Sequence, residues 1–90
     1  MKKLVWIAGA LALLSADAAL AHGNVSCPVS TRAERKPAAQ LIAKLKEMGW
    51  TIRKVQMFNN CYEVYGFDDK KKPVEAFFDP RTLDRVRVEP

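Results

Sequence analysis

The chain has 90 residues, nearly half of them apolar, with fifteen basic residues, ten acidic residues and one histidine, for a formal charge of +5. That length allows one domain with one modest core and leaves no room for a second. Two cysteines without a CxxC spacing, together with the lone histidine, exclude a zinc-spaced Cys/His set and a haem-attachment motif.

The opening residues read as an address. Lys2 and Lys3 precede an apolar run, Leu4–Leu14, and Ala19-Leu20-Ala21 supplies a small-x-small cleavage site. Such a run is too short for a membrane-spanning helix, which needs about 20 residues. The expectation is a signal peptide over residues 1–21, cleaved to leave a periplasmic or secreted chain without a stable membrane anchor. Without Lys2, Lys3 and Asp17 the mature chain holds thirteen basic and nine acidic residues, mixed along its length. Lys70-Lys71-Lys72 is the one run, and it sits beside Asp68-Asp69 in a turn. Nucleic-acid binders concentrate their basic residues on one face, so a nucleic-acid partner is not expected.

Residues 22–36 form a lead-in with no apolar periodicity. It carries Cys27, and in an oxidising compartment Cys27 and Cys61 read as one structural disulfide that pins the lead-in to the body of residues 37–90. Thr31-Arg32-Ala33-Glu34 fits a capping box, which predicts a short separate turn, because Pro37 is disfavoured inside a helix. Proline suits a first helical position, which predicts the main helix over Pro37–Met48. Ala38, Leu41, Ile42, Leu45 and Met48 recur at three- and four-residue spacing and give one stripe for packing on a sheet. Gly49 caps it in a left-handed conformation.

Four strands follow. Trp50–Met57 alternates imperfectly, as a bulge near Arg53-Lys54 would produce. Asn59 and Asn60 suit a turn. Cys61–Phe67 and Val74–Phe78 are rich in aromatic and β-branched residues around a charged connector and read as a β-hairpin. Asp79-Pro80-Arg81-Thr82 suits a type I turn, and Leu83–Val88 a last strand. Period two places Tyr62, Val64, Gly66, Val74, Ala76 and Phe78 under the helix, with Cys61, Tyr65, Phe67 and Phe77 on the opposite face. On that second face, Tyr65, Phe67 and Phe77 form either an exposed binding patch or a surface over which the Cys27 segment folds back.

The order of the CYEVYGF run, charged turn, VEAFFD run and Asp79-Pro80-x-Thr82 turn, after an amphipathic helix ending in Gly49-Trp50, resembles the PepSY domain family over roughly Pro37–Val86. The resemblance implies an α+β fold, with one main N-terminal amphipathic helix on an antiparallel sheet of three to four strands. It also implies a binding role, often inhibitory or regulatory toward proteases, and supplies no catalytic residues. Two departures fall in turns. Members often carry a glycine where this chain has Lys70-Lys71-Lys72, and Thr-Gly where it has Thr82-Leu83.

Nucleophilic catalysis needs a base, and the mature chain has only His22, at its new N-terminus. Glu63 and Glu75 lie on adjacent strands, where they can face each other across the hairpin as exposed carboxylates. The expectation is a non-enzymatic module without a cofactor, binding another exported or membrane-anchored protein. The sharp alternative is a copper carrier in which the α-amino group and imidazole of His22 chelate Cu(II). Met48 and Met57, soft ligands in principle, are better read as core.

Overall fold

The computed structural model describes residues 23–89. The expected signal peptide, residues 1–21, and His22, with the copper site drawn from it, lie outside the described residues. After a short 3-10 turn at Arg32–Glu34 comes helix α1, Ala38–Glu47, and then strands β1 (Thr51–Phe58), β2 (Cys61–Phe67), β3 (Pro73–Phe78) and β4 (Arg85–Val86). The strands form one antiparallel sheet in the order β1-β2-β3-β4. This is the expected α+β arrangement, with the helix packed on one face of the sheet.

Local chemistry explains each boundary. The capping box at Thr31 is complete: the Glu34 N–H donates to Thr31 Oγ1, and the Thr31 N–H donates to the Glu34 carboxylate at 2.7 Å. Those bonds hold the Glu34 carboxyl below its ordinary pKa. Pro37 stands at the cap of α1 in an extended conformation, and Gly49, at φ 92°, ends it. The hairpin between β1 and β2 turns on Asn59 and Asn60, both at positive φ, the pattern a two-residue turn demands. Register between these strands slips between Ile52 and Lys54, so Arg53 is the extra, bulged residue. Gly66 lies opposite that slip. There the backbone of β1 comes so close that a Cβ would overlap the Thr51 carbonyl.

The main core lies between α1 and the sheet. Leu41 and Leu45 are fully buried against Trp50, Tyr62, Val64, Ala76, Phe78 and Leu83, and each leucine contributes about 2 kcal/mol by leaving water. Trp50 meets Phe78 edge-on, with ring centroids 6.3 Å apart. The Tyr62 hydroxyl donates to the Lys36 carbonyl at 2.7 Å, fixing the entry to the helix.

Three expectations need correction. Met48 is 52% exposed and Met57 43%, so neither is core. Met48 is the residue at which the helix ends, and Met57 sits near the end of the outermost strand. The last strand covers only Arg85–Val86 instead of Leu83–Val88. Beyond Val86 the backbone turns to the lead-in, and Asn24 and Glu89 exchange two hydrogen bonds of 3.1 and 2.9 Å.

Candidate functional site

Alternation along β2 turns Cys61, Glu63, Tyr65 and Phe67 away from the helix. This second face divides into two halves. At the Cys61 end the lead-in lies across it, joined by the Cys27–Cys61 disulfide with Cα atoms 5.2 Å apart. Asn59 reinforces the join: its Nδ2 donates to the Val25 carbonyl at 3.0 Å, and its carbonyl accepts from the Cys27 N–H at 3.0 Å. Val25, Cys27, Cys61 and Phe77 make a second small core, with Phe58 and Val86 packed against it. The Phe58 and Phe77 rings lie 5.9 Å apart. Phe77 is 1% exposed, so the fold-back arrangement holds at that residue, and the proposed trio of Tyr65, Phe67 and Phe77 is not one open patch.

At the other end Tyr65 and Phe67 remain half-buried. They line a shallow groove of about 470 Å³ with Arg53, Pro73, Val74 and Glu75. The bulge in β1 sets two cations beside these rings. The Arg53 guanidinium lies 5.7 Å from the Phe67 ring and the Lys54 ammonium 5.9 Å from the Tyr65 ring, distances at which a cation is drawn to an aromatic ring.

Glu63 joins the two halves and is the residue the sequence reading placed wrongly. It is 0% exposed and lies opposite Phe77, whereas Glu75 lies opposite Tyr65, so the two carboxylates are diagonal neighbours. Glu63 Oε1 accepts from Gln56 Nε2 at 2.8 Å and Oε2 from the Tyr65 hydroxyl at 2.7 Å. Burial pushes the Tyr65 phenol well above its ordinary pKa, helped by its hydrogen bond to Glu63 and by the charges of Glu63 and Glu75. The phenol therefore stays protonated and keeps donating at any physiological pH. The parity of Cys-Tyr-Glu-Val-Tyr held the missed signal, since Glu63 shares a face with Cys61 and Tyr65. A buried carboxylate is an uncommon outcome unless partners are present to receive it.

The chain matches the model of a protein family, described as the peptidase propeptide and YPEB domain, over residues 5–89. The chain belongs to the PepSY family. No curated protein and no solved structure matches it. Membership in the PepSY family agrees with one helix on a four-stranded antiparallel sheet. Among the described residues no helix is long and apolar enough to cross a membrane.

Proposed function

We propose that this PepSY protein is an exported, non-catalytic module that binds another exported or membrane-anchored protein through the open half of its second sheet face, and that it regulates an exported peptidase by doing so. The observation that carries this reading is the groove at Tyr65 and Phe67. It presents aromatic area flanked by Arg53 and Lys54, and aromatic and arginine side chains are the usual anchors of protein interfaces. Glu63 fixes the Tyr65 ring from beneath, so little side-chain freedom is lost on binding.

The test is inhibition of peptidase activity in the exported fraction of the producing cell. Wild-type protein is expected to slow proteolysis, and the Tyr65→Ser/Phe67→Ser variant to slow it far less. Equal slowing by both would remove the function from this face. No slowing by wild type would remove the regulatory reading.

A further inference from the structure

The outer edge of β1 is a second place where a partner can be held, distinct from the groove at Tyr65 and Phe67 although Arg53 and Lys54 border both. Strand β1 is the first of the sheet and pairs only with β2 among the described strands. Its turn closes with Phe58 opposite Cys61, so Phe58, Gln56 and Lys54 direct their backbone groups toward β2. Val55 and Met57 direct theirs outward, in the plane of the sheet. Among the described residues no other backbone group bonds to Val55 or Met57.

Beside this edge lie two grooves, one against the helix and one against the segment that leads into it. One, of about 350 Å³, is floored by Ile42, Ile52 and Val55. The other, of about 510 Å³, has Met57 and Pro37 in its walls. Along the chain Pro37 of the second groove directly precedes Ala38 of the first, and Met57 of the second lies two residues beyond Val55 of the first. The rim is cationic throughout: Lys46, Arg53 and Lys54 stand at one end, and Arg32, Arg35 and Lys36 at the other. Among the described residues none of these six cations is ion-paired with a carboxylate.

An exposed strand edge invites another strand, and basic residues on it repel a second copy of the same strand. The same residues attract an acidic one. We infer that the edge of β1 accepts an extended acidic peptide from a partner protein as a fifth strand. Backbone hydrogen bonds at Val55 and Met57 would hold it, alternate apolar side chains would enter the grooves, and carboxylates would meet Lys46, Arg53 and Lys54. Strand addition of this kind draws affinity from the main chain and specificity from alternate side chains.

The probe is an acetylated, amidated heptapeptide of alternating valine and glutamate, titrated into the isotope-labelled protein with its disulfide intact and followed by amide NMR. Shifts are expected along Thr51–Phe58 and on the groove side of α1, with slowed exchange at the Val55 and Met57 amides. The double variant Lys46→Glu/Lys54→Glu should weaken binding about tenfold at low salt. A second probe, with the peptide's amides N-methylated at alternate positions on its bonding edge, needs no protein variant and should not bind. Four results would each overturn the inference: no shifts at millimolar peptide, equal binding of the lysine counterpart, undiminished binding of the N-methylated probe, or shifts confined to Tyr65 and Phe67. The last of these would still leave the proposed function standing.

Discussion

On its helix side the sheet is sealed by Leu41 and Leu45, delivered by a regular helix at regular spacing, and by Trp50 just beyond the helix end. On the other side the seal is a stretch of irregular chain, and among its described residues Val25 and Cys27 supply the buried apolar side chains. The first side is held mainly by burial. The second relies on a covalent bond, an asparagine bracket and a carboxylate network, and still leaves Tyr65 and Phe67 half open. The contrast shows how a small domain closes one face for stability and keeps part of the other available. The lead-in is irregular where it crosses this face, and its cover ends near its anchors at Cys61 and Asn59.

The largest expected effect breaks the second side and spares the first. The bridge joins residues 34 apart in sequence, so replacing both cysteines, Cys27→Ser with Cys61→Ser, should cost about 3–4 kcal/mol on the chain-entropy account. Urea denaturation measures the loss. Amide NMR of the variant should show Phe58 and Phe77 displaced while Val64 and Ala76 keep their positions. Displacement of all four would mean that the two sides are one unit. The matching change on the helix side, Leu45→Ala, should cost about 3 kcal/mol through lost burial and the cavity left behind. It should leave the resonances of Val25 and Cys27 in place.

Much of this contrast was legible in the sequence, and for identifiable reasons. The stripe of Leu41 and Leu45, the parity of Tyr62, Val64, Ala76 and Phe78, and the bulge at Arg53 are all written in local periodicity. The pairing of Cys27 with Cys61 followed from having two cysteines in a chain read as exported. Which aromatic the lead-in covers was not legible, because the cover depends on where irregular chain settles after the disulfide forms. Glu63 escaped for a related reason. Its burial is set by Gln56 and Tyr65 converging on it from two strands, and periodicity reports a face without reporting what crosses it.

A middle-sized effect probes that network. Glu63→Ala leaves the Tyr65 hydroxyl and the Gln56 amide without this acceptor in a covered site, at a cost of about 1–3 kcal/mol. Alkaline titration gives an independent reading. The folded Tyr65 phenol is held above the unfolded value of about 10, so its contribution is fully present below that pH. It is lost as pH rises from there toward the folded value, because the unfolded chain gives up its proton first. Near-ultraviolet absorbance should therefore show one tyrosine titrating late in the folded protein, and Tyr65→Phe should abolish the late step. A late step that survives in Tyr65→Phe would assign the shifted phenol elsewhere and separate Tyr65 from the buried carboxylate.

The smallest effect concerns the two turns that carry Lys71 and Leu83. Lys71 and Leu83 both adopt φ 67°, a left-handed conformation that costs a residue with a Cβ about 1–2 kcal/mol. The family resemblance leads one to expect a glycine within the Lys70-Lys71-Lys72 run and another at Leu83. The two positions differ in what the side chain does. Lys71 is exposed at the hairpin tip, where its N–H donates to the Asp68 carbonyl at 2.9 Å and the turn is tied by Asp68 Oδ1 to the N–H groups of Lys70 and Lys72. Leu83 is buried in the helix-side core, and its carbonyl accepts from Lys44 Nζ at 2.9 Å. Lys71→Gly should therefore raise stability, by about 0.5 kcal/mol once the greater freedom of unfolded glycine offsets part of the relief. Leu83→Gly should have the opposite sign, because loss of a buried leucine outweighs the same relief. The strain at Lys71 has no packing to offset it, whereas the strain at Leu83 keeps a core side chain in place. Equal effects of the two substitutions would show that backbone conformation alone governs both turns.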